Sequence, residues 1–254
     1  MTLGSTQVGS QPRNGQIQNR CLAALSAEAS AFLKPHLKTV TLSAGDLLWD
    51  TGQPNRQTFF PGSGLISIVV PLQDGAAIEV GTVGCEGAAG GLEAAGATEV
   101  TTRGIVLMGG SFMQVASCTL WGLARQHREI NDVLTNCSGW LATQAQQLAA
   151  CNATHTAESR LCRWLTACQQ RLGDERISAT QELISALLGV RRTTVTLLAQ
   201  RLHAQGLIDY SRGRISVRDP ARLEAAACEC CGSLGPARWP AGRHTATRRP
   251  PSNT

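Results

Sequence analysis

A chain of 254 residues has room for one large domain or two modest ones, each with its own buried core, and two is the better expectation. Its net charge of +5 suits a polyanionic partner without requiring one. No run approaches the ~20 apolar residues that span a bilayer, and the polar start MTLGSTQVGSQPRNGQ has no apolar signal core, so a cytoplasmic protein without a membrane role is expected.

Residues 1–20 are rich in Gly, Ser, Gln and Asn and carry too little apolar surface to offset the entropy of ordering, which predicts a disordered leader. Leu22, Leu25, Ala29, Phe32 and Leu33 then recur at helical spacing, with Pro35 marking the exit. From Val40 to about Phe112 the pattern changes to short apolar runs: VTLSAGDLLW, TFFP, GLISIVVPL, AAIEVGTV and TRGIVLMGG. Breakers recur every ~8 to 12 residues, as expected of a small antiparallel sandwich or jelly roll. Asp74-Gly75 is a hairpin turn in this reading, since glycine tolerates positive φ.

From Val115 to Gln147 helical spacing returns through Leu120, Leu123, Ile130, Val133, Leu134, Cys137 and Leu141. A helix of ~30 residues and ~45 Å exceeds what a small domain needs to cover its own core, which predicts a dimer helix. The competing reading is a helix broken at Gly122 or Gly139 and folded onto the sandwich. Ala157 to Leu172 forms a separate amphipathic helix on Leu161, Trp164, Leu165, Cys168 and Leu172.

Between Arg176 and Arg218 there are seven arginines and only two acids, Glu182 and Asp209. Within that basic stretch Thr180 caps a helix carrying Ile184, Leu187 and Leu188, and Gly189 ends it. A second helix begins at once, with Val195, Leu198 and Leu202 inward and Arg191, Arg192, Thr193, Thr194 and Thr196 at its start and outer side. Two helices joined by a short glycine turn are the helix-turn-helix, whose second helix enters the major groove of double-stranded DNA. Its first residues need hydrogen-bond donors. The Arg192 fork matches guanine O6 and N7, the threonine hydroxyls reach phosphates or bases, and Arg201 extends the basic set. Gly206 to Arg218 reads as strand, turn and strand, a wing with Arg212 and Arg214 at its tip for phosphate. Any one arginine here is ordinarily a solvated side chain; the ordered combination carries the reading.

In its order of sandwich, long helix and winged helix, the chain resembles the Crp/Fnr superfamily of bacterial transcription regulators over about residues 22–230. The most specific stretch is TQELISALLGVRRTTVTLLAQRLHAQGLIDYSRGRISVRD, where Gln181, Glu182, Leu183, Leu187, Gly189, Arg192, Thr194, Val195, Leu202, Gly206, Leu207 and Ile208 fall on the family pattern. The resemblance implies that Thr180 and Gln181 touch phosphate and that Arg192 is the main guanine reader. Thr193 replaces the family's usual acid, and Leu197 stands where many members carry a second base-contacting arginine, so no operator sequence carries over.

The resemblance also implies where an effector would sit. In the family's cyclic-nucleotide receptors a glycine-led helix start, a glutamate and an Arg-Ser pair surround the ligand, joining a helix dipole to a fixed guanidinium. The matching stretch here gives Glu86, Gly90, Gly91, Thr101, Thr102 and Arg103 as the candidate pocket. Gly91 stands where the ribose glutamate is expected, and Thr101-Thr102 near the Arg-Ser position, with Arg103 as a substitute after a shift of register. An unliganded or differently liganded barrel is therefore expected ahead of nucleotide binding.

The ten cysteines lie in a long chain without a secretory signal, several of them in apolar helical contexts, and are expected as reduced thiols. Only Cys21 lies near the N-terminal region where the family's oxygen sensors gather theirs, so no iron–sulfur cluster is expected. Cys228-Glu229-Cys230-Cys231 could bind a soft metal or oxidise, against the plainer reading of a helix end with incidental cysteines; no metal or other cofactor is assigned.

The expected architecture is α+β: a leader at 1–20, a cyclic-nucleotide-binding-like sandwich at 21–114, a connecting and dimerisation helix at 115–153, a winged helix-turn-helix at 154–231 and a disordered basic tail at 232–254. The expected function is a homodimeric, sequence-specific transcription regulator partnering DNA and RNA polymerase, its effector unknown. The alternative is a small-molecule sensor module, for a cyclic nucleotide or other anion, in which DNA binding is secondary. The five histidines are isolated and form no catalytic motif, so an enzyme is not expected.

Overall fold

In the computed structural model the described residues are 19–73, 76–92, 99–173, 176–211 and 213–234, and the first of them is already fixed. Asn19 is buried: its side-chain oxygen accepts from the N–H groups of Cys21 and Leu22, and its Nδ2 donates to the carbonyls of Pro61 (3.0 Å) and Gly87 (2.7 Å). α1 (Arg20–Ala23) starts there; α2 (Ala27–Leu33), capped by Ser26, and a 3-10 turn (Lys34–His36) follow. The leader expected over 1–20 thus loses its last two residues to the fold, because one side chain binds two distant loops. The rest of that expectation lies outside the described residues.

β1 (Lys38–Leu42), β2 (Leu47–Trp49), β3 (Gln57–Pro61), β4 (Leu65–Pro71), β5 (Ala77–Val83), β6 (Arg103–Met108) and β7 (Gly110–Ala116) make two antiparallel sheets, ordered β1-β7-β3 and β2-β6-β4-β5. Alternation along β1 leaves Thr39 and Thr41 exposed and sends Val40 and Leu42 against the core. Trp49, Phe59, Ile66, Ile68, Val83, Val106 and Phe112 fill the space between the sheets. The Asp74-Gly75 turn lies outside the described residues; the strands flanking it pair down to Pro71 opposite Ala77.

The helix expected from Val115 begins later and is broken. Val115 pairs with Thr58 and Ala116 with Gln57, so β7 runs two residues past the expected boundary at 114. α3 (Ser117–Gln126) and α4 (Arg128–Thr154) are separated by His127, whose φ of −126° and ψ of 104° are extended. The break falls at neither glycine. It is held from outside: Phe32 stacks on the His127 ring at 4.0 Å, and Glu129 accepts from Ser26 N (2.5 Å) and Oγ (2.6 Å).

α4 has 27 residues, about 40 Å at 1.5 Å per residue. Ile130, Leu134, Cys137, Trp140, Gln144, Leu148 and Cys151 form its buried face, so its apolar stripe is covered within the same chain. The opposite face, Thr135, Gly139, Ala142, Gln146, Ala149 and Ala153, is exposed and repeats at alternating steps of four and three. None of the helices among the described residues is long and apolar enough to cross a membrane.

α5 (Ala157–Leu172), capped by Thr156, buries Leu161, Trp164, Leu165 and Cys168 under the C-terminal unit. That unit comprises β8 (Ile177–Ser178), α6 (Gln181–Leu188), α7 (Arg192–Ala204), β9 (Ile208–Ser211), β10 (Arg214–Val217), α8 (Pro220–Ala226) and α9 (Cys230–Leu234). α9 continues through Leu234, so the tail expected from 232 begins no earlier than 235, beyond the described residues. One apolar cluster joins Leu65, Val69, Leu107 and Met108 of the sandwich to Leu161, Ile184, Leu188 and Leu202. Across the same seam Arg171 Nε meets Glu86 Oε1 at 2.6 Å, both side chains almost fully buried.

Candidate nucleic-acid interface

α6 starts because Thr180 turns its hydroxyl back to accept from Leu183 N (3.2 Å), and it stops because Gly189 takes φ 62° and ψ 38°. That left-handed residue reverses the chain within a short turn, and Arg191 caps α7 through its extended backbone. Val195, Leu198, Ala199 and Leu202 bury one face of α7, which packs against α6 and β9. The opposite face is left to solvent by geometry alone.

On that face Arg191, Arg192, Thr193 and Leu197 are exposed, with Thr194 partly covered. Arg192 Nη1 lies 2.6 Å from Glu182 Oε1, an ion pair with both side chains well exposed. An exposed pair of this kind contributes only ~0–1 kcal/mol, so Glu182 aims the guanidinium without locking it away from a competing acceptor. Thr196 donates its hydroxyl proton internally, shared between Gln181 Oε1 (2.9 Å) and the Arg192 carbonyl (3.1 Å). It ties α7 to Gln181 at the start of α6 and acts as a brace. Arg201 stands apart: it is nine residues, about 14 Å, along the helix from Arg192 and pairs with Glu158 of α5 at 2.5 Å.

The wing is a three-stranded sheet ordered β8-β10-β9, with Ile215 opposite both Tyr210 and Ile177. The Ala179 N–H donates to the Gly213 carbonyl (2.8 Å), which sets the wing tip beside Thr180 at the start of α6. Arg214 is exposed at that tip, while Arg212 lies outside the described residues. Arg218 pairs with Asp209 across the hairpin, and the hydrogen bond holds the Asp209 carboxyl below its ordinary range. Burial, followed by the nearby Glu182 carboxylate, pushes the Tyr210 hydroxyl up. Thr180 and Leu183 also line a cavity of about 210 Å³ against Ser67 and Ile105 of the sandwich.

Residues 159–226 match the family model of the Crp-like helix-turn-helix domain. The C-terminal unit is a Crp-like helix-turn-helix domain. No curated protein sequence matches the chain, but solved structures match its fold. A putative Crp/Fnr-family transcriptional regulator from Eubacterium rectale is 16% identical with a TM-score of 0.62, covering 80% of this chain and 95% of its own. FixK2 from Bradyrhizobium japonicum is 15% identical with a TM-score of 0.64, covering 76% and 98%. A Crp/Fnr-family regulator from Thermus thermophilus is 21% identical with a TM-score of 0.61, covering 75% and 98%.

The candidate effector residues are engaged by different neighbours in the fold. Trp49 is buried, donates from Nε1 to Thr102 Oγ1 (3.2 Å) and lies over Gly104, where an added Cβ would stand 2.3 Å from the indole. The same ring lies 3.3 Å from where a Cβ on Gly90 would be, so it occupies the space between Gly90 and Thr102. Gly91 presses on Ser117, its own Cβ position lying 2.0 Å from Oγ, and its carbonyl accepts from Trp121 Nε1 (2.8 Å). Arg103 is held by Asp50 through two bonds of 2.8 and 3.1 Å, which keep the Asp50 carboxyl below its usual range. Thr101 is exposed beside them. Glu86 leaves the set altogether, paired with Arg171 at the seam. Among the described residues, then, a large aromatic side chain stands between Gly90 and Thr102, and Glu86 is engaged elsewhere.

Two side chains gain a role at the solvent-facing surface of α7 that sequence reasoning did not assign to them. Glu182 reads in sequence as a local acid on the family pattern; in the first turn of α6 it also reaches Arg192 at the start of α7. Leu197 was read only as a departure, yet it is 66% exposed in the middle of α7, where an apolar side chain has no packing reason to be.

Proposed function

We propose that this protein is a sequence-specific transcription regulator that binds double-stranded DNA as a homodimer, with the N-terminal part of α7 in the major groove. The carrying observation is the solvent-facing cluster Arg191, Arg192, Thr193 and Leu197 on a helix whose other face is fully buried. Arg192, aimed by Glu182, is the guanine reader; Leu197 offers apolar contact to a thymine methyl; Thr180, Gln181 and Arg214 border the phosphates. Two copies joined along the exposed Thr135–Ala153 face of α4 present two recognition helices to half-sites about one helical turn apart. The protein acts in the cytoplasm on RNA polymerase and performs no catalysis of its own.

Selection of bound fragments from a random DNA library with the full chain tests this reading. The expected product is an inverted repeat with half-site centres about 10 base pairs apart. Recovery of no enriched sequence, or of a single unrepeated half-site, overturns it.

A further inference from the structure

The four side chains of Cys151, His155, Cys228 and Cys230 converge at the junction of α4 and α5, with one ligand atom from each within 4.8 Å of all the others. Cys151 and His155 are one turn apart at the end of α4, where the His155 N–H still donates to the Cys151 carbonyl (3.0 Å). Cys228 and Cys230 come from the opposite direction, 77 residues beyond Cys151 in the first case. Cys151 Sγ is 3.5 Å from Cys228 Sγ, and Cys230 Sγ is 3.7 Å from His155 Nδ1. A tetrahedral ion with metal–sulfur bonds of about 2.3 Å sets its ligands about 3.7 Å apart. The observed edges are therefore those of a single-ion site, too close for the wider spacing around a multi-iron cluster.

The surroundings fit the same chemistry. His155 Nε2 lies 3.0 Å from Glu229 Oε1, which directs Nδ1 inward, the carboxylate–histidine arrangement typical of metal ligands. Gln147 Nε2 donates to Cys230 Sγ at 3.0 Å, as a thiolate would favour. Arg163 is buried, its Nε has no hydrogen-bond partner, and its charge acts on both Cys151 and Cys228. Three thiolates and a neutral imidazole around a divalent ion leave one net negative charge, which that guanidinium offsets. A competing contact is Thr154 Oγ1, 3.3 Å from His155 Nδ1, which an ion at that nitrogen replaces.

We propose that Cys151, His155, Cys228 and Cys230 bind one zinc-class divalent ion in a closed tetrahedral site that clamps α9 onto the end of α4. Four protein ligands leave no open position, so the role is structural. Binding displaces the three thiol protons to solvent. His155 ends α4 and Thr156 caps α5, so the ion also fixes the joint from which the helix-turn-helix is hung.

The test uses the full chain, purified reduced and without chelator, with metal content measured by mass spectrometry. The expected result is about one zinc per chain, released stoichiometrically by a thiol-specific mercurial. Cobalt(II) added to the metal-free chain should give the thiolate charge-transfer and tetrahedral ligand-field bands of a Cys3His site. The double variant C228S/C230S should lose the metal, C118S, at an exposed thiol, should keep it, and Glu229→Gln should weaken binding roughly 10-fold or more. Should the double variant fail to fold, the cobalt spectrum of the unaltered chain decides. A metal-free chain that gives no cobalt spectrum overturns the proposal, as do iron with inorganic sulfide, zinc retained by C228S/C230S, or a Cys151–Cys228 disulfide in protein prepared without air.

Discussion

The start of α7 and the mouth of the sandwich both gather polar groups and glycines, yet they are finished in opposite ways. At α7 the apolar residues point inward and Arg191, Arg192, Thr193 and Leu197 are left outside, with Glu182 aiming one guanidinium. At the sandwich Trp49 turns inward over Gly104, and Thr102 and Arg103 are both taken by neighbours in the same chain. One surface keeps its hydrogen-bonding capacity for a partner; the other uses it internally. A set of residues makes a site only when their donors remain accessible to a partner, as Arg192 does even while paired with Glu182.

Substitutions can break this contrast. Trp49→Ala should have the largest effect, a loss of ~3–5 kcal/mol of stability by denaturant titration, with an unchanged DNA sequence preference. A loss much below that would mean that the indole fills no space that matters. Arg192→Ala should weaken binding to the selected site by ~1–3 kcal/mol, roughly 5- to 150-fold, while leaving the dimer and the melting temperature intact. Equal affinity of the two proteins for that site removes Arg192 from base reading. Leu197→Ala should cost at most ~1 kcal/mol, visible mainly as a relaxed preference for thymine at one position of the half-site. A uniform loss across all sequences would instead place Leu197 against the backbone.

The smallest effect concerns the wing. The Asp209 carboxyl is held down by Arg218 in the folded chain, so the pair contributes stability above the unfolded value of about 3.9 and loses it as pH falls through the lower folded value. Thermal melts of wild type and Asp209→Asn should therefore differ at neutral pH and converge in acid. A constant difference across that range would show that the carboxylate charge plays no part.

Much of the fold was legible because it rests on local rules. The period-two runs became strands, Gly189 ended α6, and Val195, Leu198 and Leu202 marked the buried face of α7. The break at His127 was not legible, since the glycines nearby do not cause it; Phe32 and Ser26, about a hundred residues earlier, do. Of the candidate DNA-facing residues, Arg191, Arg192 and Thr193 are exposed together, whereas Thr196 and Arg201 are engaged elsewhere in the chain. The cysteine pair at 228 and 230 drew notice in sequence, but Cys151 and His155 carried no signal of belonging with it.

By itself the sequence determined which segments are helix and strand, and which face of each is apolar, because propensity, periodicity and capping act within a few residues. It thereby determined that a basic, threonine-rich helix start would follow a glycine turn. Only the tertiary structure decided which polar groups are already satisfied, where the Trp49 indole lies, and that four ligands separated by up to 79 residues meet at one joint. Those outcomes depend on contacts between distant segments, and no local pattern encodes the partner a side chain will find.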